Sequence, residues 1–245
     1  MLTSDMADPA GYKTLEVFSR APALNKWLYE RISDFIRGQI LEVGSGIGNI
    51  SGILLEHHQK VTLSDFRPEY CQILEQKFGL HPHLQSIRNL DLSLTDFKIQ
   101  YAQLLEKFDT VIALNVMEHL PDDFTALINA ASMLRGQGKL VILVPAFPGL
   151  YNILDRELGH YRRYTKSGLI KLITSAGLQY TGSSYFNATA IPGWWFSGSL
   201  QKDKIITPGK LYLYNRFVPL FRLLDKLISP FAGISLISIG IKNLN

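Results

Sequence analysis

The chain has 245 residues, 47% hydrophobic and 19% charged, which is enough apolar material for one generous α/β domain and excludes a disordered chain. Its formal charge of +4 is too small to imply a nucleic-acid partner by itself. The single cysteine, Cys71, excludes an internal disulfide and fits a reducing cytoplasm.

Charge is unevenly spread. From Ser197 to Asn245 there are seven bases and two acids. This basic and apolar tail reads as a solvated helix face, or as a surface drawn to an anionic substrate or membrane. Met1 to Pro9 show no basic stretch followed by an apolar one, so no signal peptide is expected. The uncharged run Leu227 to Ile241 contains Pro230 and Gly233 and is shorter than the roughly 20 apolar residues of a spanning helix.

Residues 11–37 carry Leu24, Trp27, Leu28 and Ile32 at helix spacing, and residues 1–37 are expected to form a helical cap. Strands and helices then alternate over a core of residues 38–187. Gln39–Val43 is a short apolar strand, followed by a glycine loop and a helix to about Glu56. Lys60–Ser64 is a second strand ending at Asp65, and a helix is expected near Pro68–Phe78. A third strand lies near Leu84–Asn89, a helix near Leu94–Lys107 and a fourth strand at Thr110–Leu114. Pro121 suits a first helical position. Gly136 and Gly138 are expected to end that helix before a fifth strand, Leu140–Val144.

Beyond Val144 the rhythm changes. Thr165–Ala176 reads as a helix and Gln179–Phe186 as a strand. Residues 188–232 interrupt the alternation with an amphipathic stretch near Leu211–Leu227, expected to form a helical insertion or lid. Residues 233–245 hold a last strand, Ser235–Lys242. Strands such as Val141–Val144 do not alternate in polarity, as expected of a parallel sheet covered on both faces. The strict β-then-α order implies right-handed crossovers and a doubly wound α/β fold with its ligand at the carboxyl ends of the strands.

Gly44-Ser45-Gly46-Ile47-Gly48 follows the first strand and opens a helix. Glycines permit tight turns and close approach to a ligand, and a helix start offers free N–H groups. The spacing G-x-G-x-G, with Glu42 before it, differs from the dinucleotide loop G-x-G-x-x-G. Asp65 ends the second strand, where an acid can accept hydrogen bonds from a ribose diol or cap the helix after Arg67-Pro68.

Leu41-Glu42-Val43-Gly44-Ser45-Gly46-Ile47-Gly48-Asn49 resembles the first motif of class I S-adenosylmethionine-dependent methyltransferases. Phe108-Asp109-Thr110-Val111-Ile112-Ala113-Leu114-Asn115-Val116-Met117-Glu118-His119-Leu120 resembles their fourth-strand motif, and Gly136 to Pro145 the turn into their fifth strand. The resemblance implies a Rossmann-like, seven-stranded sheet with its last strand antiparallel, and S-adenosylmethionine as cofactor. It implies a cofactor site made of Glu42, Gly44, Ser45, Gly46, Gly48, Asp65 with Phe66, Asp91 with Leu92, and Asn115 with Val116. Tyr12 is expected to close over the cofactor from the N-terminal segment. Asn25-Lys26-Trp27 and Leu158 to Tyr164 resemble a narrower bacterial branch of small-molecule methyltransferases, of the type 11/12 kind.

Direct displacement at a sulfonium methyl needs an in-line nucleophile and a site that excludes water. A base is needed only where the acceptor must lose a proton. His119 follows the fourth strand and is the first candidate base by position and by its near-neutral titration; its alternative is to brace the loop before Pro121. Glu118 could bind a cation or the substrate, and its competing, favoured reading is an exposed acid at a helix start. His160 is a second candidate base. Tyr161, Arg162, Arg163 and Tyr164 are candidate acceptor-binding residues, Arg162 or Arg163 forking onto an anion. The competing reading pairs an arginine with Asp155 or Glu157 and makes Thr165 a helix cap.

No cysteine or histidine set has zinc spacing, so no metal is expected, nor is a nucleic-acid partner. The acceptor expected is a small or lipid-like molecule. The competing functions are a nicotinamide-dependent oxidoreductase and a non-catalytic, membrane-peripheral binding module acting through Leu211–Leu227.

Overall fold

The computed structural model describes residues 9–244. The stretch Met1 to Asp8, where no signal peptide is expected, lies outside the described residues. In chain order the elements are α1 (Pro9–Ser19), α2 (Pro22–Ile32), β1 (Ile40–Val43), α3 (Ser51–His57), β2 (Val61–Asp65), α4 (Pro68–Phe78), β3 (Leu84–Asn89) and α5 (Phe97–Gln100). Then come β4 (Phe108–Leu114), α6 (Asp123–Ser132), β5 (Leu134–Pro145), α7 (Ile153–Glu157), α8 (Lys166–Ser175) and β6 (Leu178–Phe186). The chain closes with α9 (Ile191–Trp195), α10 (Pro208–Ile228) and β7 (Ser235–Lys242).

The sheet has seven strands in the order β3-β2-β1-β4-β5-β7-β6. β1 pairs in parallel with β2 and β4, β2 with β3, and β4 with β5, while β7 is antiparallel to both β5 and β6. The order reverses between β1 and β4. Crossovers from those two strands leave on opposite faces, so a crevice opens beyond their carboxyl ends. The sheet is packed on both faces. Leu41, Val111, Leu140 and Ile142 belong to one apolar cluster; Ile40, Leu63, Ile112 and Val141 belong to the other. This two-sided burial is why the central strands are apolar at consecutive positions.

Several boundaries differ from the sequence expectation, each for a local reason. The N-terminal helical stretch is two helices, broken at Arg20-Ala21 before Pro22, which opens α2. Over residues 94–107 there is only the short α5 and a 3₁₀ turn at Ala102–Leu104. Phe97 and Leu104 are buried there but no continuous helical face forms. α6 does not begin at Pro121: Asp122 caps it, accepting the Thr125 N–H at 3.0 Å. Gly136 and Gly138 do not end α6 either. They lie within β5, where pairing jumps from Phe108↔Leu134 to Thr110↔Lys139 and the extra residues form a bulge. Thr165 caps α8 by accepting the Gly168 N–H at 3.0 Å.

Residues 188–228 lie between β6 and β7 and are helical for most of their length. Among the described residues no helix is long and apolar enough to cross a membrane. α10 packs through Leu211 and Val218 onto the cluster that contains Leu24, Trp27 and Ile32 of α2. Asp225, buried on its inner face, accepts the Ala188 N–H at 2.7 Å. Trp27 lies against Phe186, ring centroids 4.6 Å apart, which joins α2 to the end of β6.

Candidate active site

The glycine loop leaves β1 at the crevice. Gly44, Gly46 and Gly48 have φ of +71°, +54° and +86°, a region that side-chain-bearing residues avoid. A Cβ on Gly48 would stand 2.4 Å from Cε2 of Phe78, and one on Gly44 2.5 Å from Cγ2 of Val116. The spacing therefore reflects a backbone that turns against α4 and against the end of β4. The loop is tied to β2: Ser45 donates its N–H to Ser64 O at 2.8 Å, and its Oγ accepts the Ser64 N–H at 3.2 Å.

Glu42 lies buried under this loop and accepts a hydrogen bond from Ser51 Oγ at 2.5 Å. Burial pushes its carboxyl up to about 7, against the opposing pull of the Ser51 bond. Asp65 is also buried. Its Oδ2 accepts the Gly46 N–H at 2.9 Å and its Oδ1 the Arg67 N–H at 3.0 Å. Burial raises its pKa while those donors lower it. Each carboxylate oxygen has a second lone pair, so bracing the loop leaves capacity for a diol.

The other sequence-selected cofactor residues line the same end of the sheet. Phe66 is half exposed, with the Arg67 guanidinium 4.2 Å over its ring. Asp91 Oδ1 accepts from the Ser93 N–H and Oγ at 2.8 and 2.7 Å, and Leu92 is buried. Asn115 has φ +53° and donates its N–H to Leu143 O at 2.8 Å. Tyr12 packs with Leu15 and Ile73 against Ile47 and Tyr70. Sequence reasoning missed Leu15 and Asn49. The Leu15 Cδ1 lies 2.9 Å from where a Gly46 Cβ would stand, and Asn49 Nδ2 donates to Leu15 O at 2.8 Å. α1 thus lies across the glycine loop.

On the far side of Asn115 the chain makes a 3₁₀ turn, Met117–His119. Here one expectation is overturned: Glu118 is not an exposed helix-start acid but fully buried. The turn points it inward, beneath the segment that follows β5. That segment is held down by the Tyr161 N–H donating to Glu118 O at 2.8 Å. Neither carboxylate oxygen of Glu118 has a hydrogen-bond partner, and burial pushes its pKa up to about 8. His119 and His160 come together over it, rings edge-on with centroids 4.7 Å apart. His160 Nδ1 is 2.9 Å from Asp155 Oδ1.

The Tyr161–Tyr164 cluster divides. Tyr161 is exposed. Arg162 is partly exposed and bridges Asp123 Oδ2 at 2.9 Å and Pro121 O at 2.6 Å. Arg163 is buried, its Nε 2.9 Å from both oxygens of Asp155 and its Nη1 donating to Ala146 O at 3.1 Å. The Trp194 ring covers its guanidinium at 4.7 Å. Tyr164 is buried and donates to Asp123 Oδ2 at 2.7 Å. Arg163 therefore engages Asp155, the internal pairing that competed with anion binding in the sequence. Asp155 organises this region, accepting from Arg163, His160 and the Asn152 N–H. Its signal in the sequence was the capping box Asn152-x-x-Asp155.

Residues 41–140 match the family model described as a methyltransferase domain. A ubiquinone biosynthesis O-methyltransferase of Xanthomonas euvesicatoria is 29% identical over 174 residues, covering 64% of this chain and 70% of that protein. Among solved structures, the methyltransferase bound to the Trm112 activator of Haloferax volcanii superposes with a TM-score of 0.66 at 13% identity, covering 100% of this chain and 99% of the other. An S-adenosylmethionine-dependent methyltransferase from Archaeoglobus fulgidus superposes with a TM-score of 0.60 at 16% identity, covering 90% and 94%. At those identities the structures speak for the fold alone. The strand order and the motif spacing agree with that match, and residues 41–140 of this chain form a methyltransferase domain on a Rossmann-like sheet.

Proposed function

We propose that this methyltransferase transfers the sulfonium methyl group of S-adenosylmethionine to an oxygen of a small, partly apolar acceptor held against His119 and His160. The carrying observation is the convergence of Glu118, His119 and His160 beside Asn115, at the carboxyl end of β4. An oxygen acceptor also fits the O-methyltransferase name of the relative. The acceptor oxygen attacks the methyl carbon in line, the C–S bond breaks with its electron pair kept by sulfur, and the acceptor proton is released. The two imidazoles activate the acceptor oxygen, while Glu42, Ser45, Asp65, Phe66, Asp91, Leu92, Asn115, Val116 and Tyr12 hold the cofactor with the glycine loop. Tyr161 and Arg162 border the acceptor. Arg163 and Tyr164 shape the floor beneath it, because their polar atoms are engaged inside the protein.

The chain acts as one domain, with residues 9–37 as a cap and 188–232 as a lid whose Trp194 rests on the acceptor-side loop. A lipid-like acceptor and a peripheral contact with a cytoplasmic membrane surface fit the outer face of α10. There Leu213, Phe217, Leu220, Leu224 and Leu227 are exposed along one stripe, beside the exposed Arg216 and Lys226. The test is turnover with labelled S-adenosylmethionine against phenolic and lipid-like acceptors. His119→Ala is expected to keep cofactor affinity and lose about 10²–10⁴-fold in rate. Normal turnover in His119→Ala would return that ring to a bracing role.

A further inference from the structure

We infer that Glu118, His119 and His160 form a binding site for one divalent transition-metal cation, placed where it meets the acceptor oxygen. One ligand atom from each of the three lies within 4.8 Å of the other two. Independently, Glu118 is fully buried and both its oxygens lack a hydrogen-bond partner. A buried carboxyl group whose oxygens lack partners is disfavoured and needs a physical reason. Arg163, the nearby cation, is bonded to Asp155 and Ala146 O instead. A cation between the three side chains answers that need.

The surroundings are those of a metal ligand. His160 Nδ1 is held by Asp155 at 2.9 Å, which leaves Nε2 as the ligating nitrogen. Asp155 is itself fixed by Arg163 and by the Asn152 N–H at 3.0 Å. A carboxylate behind a ligating imidazole sets its tautomer and raises its basicity. The two rings meet edge-on with centroids 4.7 Å apart, and a shared cation about 2 Å from each ligand atom would draw the three atoms closer than their present spacing. Two imidazoles and one carboxylate suit zinc, cobalt or iron better than magnesium, which prefers oxygen ligands. With a cation bound, the two imidazoles would act on the acceptor through it rather than as bases: three protein ligands would leave a position for the acceptor hydroxyl, whose proton would be lost to water as its oxygen takes the methyl group. This last role rests on the methyl-transfer reading; the site itself does not.

The test uses the full chain stripped with a chelator and titrated with Co²⁺, read by its visible absorption, then with Zn²⁺ as competitor and Mg²⁺ as control. The expected result is one Co²⁺ per chain, displaced by Zn²⁺ and not by Mg²⁺. Its affinity should fall at least tenfold in His160→Ala and in Glu118→Gln, with S-adenosylmethionine affinity unchanged. Because Glu118→Gln changes a buried group, His119→Ala, on a partly exposed ring, serves as a third variant with the same expected loss. A chain that binds S-adenosylmethionine yet shows no saturable Co²⁺ band overturns the site and leaves the methyl-transfer reading standing. Cobalt affinity unchanged in all three variants overturns it as well. Cobalt binding that these variants abolish, in a chain that does not bind S-adenosylmethionine, upholds the site and sinks the cofactor reading.

Discussion

Oδ2 of Asp65 accepts the N–H of Gly46 at 2.9 Å, so the end of β2 and the middle of the glycine loop form one hydrogen-bonded unit. Removing that carboxylate deprives the loop of its brace and, on the proposed reading, the cofactor of its diol acceptor. Asp65→Ala is expected to weaken S-adenosylmethionine binding by at least tenfold and to lower stability by about 1–3 kcal/mol. Calorimetric titration and thermal unfolding measure the two separately. Undiminished affinity with lowered stability would leave Asp65 only the bracing role.

Glu42 makes stability depend on pH. Its folded-state pKa of about 7 lies above the ordinary carboxyl value of 4.5 because it is buried. The folded state therefore holds the proton more tightly than the unfolded chain. The contribution is fully present below about pH 4.5, is lost as pH rises towards 7, and is flat above that. Across that window the loss is on the order of 3 kcal/mol. Glu42→Gln, neutral throughout, should unfold with less pH dependence between 5 and 8 than the unaltered chain. Identical pH slopes for the two proteins would refute this assignment.

Asp155 and Arg163 are a buried pair, and breaking one leaves the other charge buried alone. Asp155→Ala is expected to cost about 3–5 kcal/mol. Combining Asp155→Leu with Arg163→Met removes both charges together and should recover much of the loss. Denaturant unfolding of the single and double variants decides it. Equal stability of Asp155→Ala and the starting protein would show that the pair is not the anchor of this loop.

Gly48 has both a positive φ and a Phe78 ring edge where a Cβ would go. Gly48→Ala must move the loop or the ring, so a loss of at least about 1 kcal/mol is expected. Cofactor affinity should fall with it. Thermal unfolding with and without S-adenosylmethionine shows both effects.

The outer face of α10 predicts association with vesicles of anionic lipid, weakened by Leu220→Glu with Leu227→Glu. Both side chains are exposed, so stability should change by less than about 0.5 kcal/mol per site. Vesicle co-sedimentation is the measurement. If the unaltered chain stays in the supernatant, the membrane contact is withdrawn.

Local residue pattern by itself determined the glycine loop, the β-α alternation, α4 at Pro68–Phe78 and β7 at Ser235–Lys242. Those features rest on short-range rules: glycine's access to positive φ, proline at a helix start, and consecutive apolar residues in strands buried on both faces. Only the tertiary structure decided the arrangement around His119 and His160. Glu118 reads locally as a surface acid, yet the chain after β5 folds over it and removes it from water. Arg163 reads both as an anion fork and as a partner of Asp155 or Glu157, and only the fold gives its Nε to Asp155. His119 and His160 are far apart in the chain and meet because β4 and β5 are neighbours in the sheet. Burial and long-range pairing depend on which segments the sheet places side by side, and no local pattern encodes that.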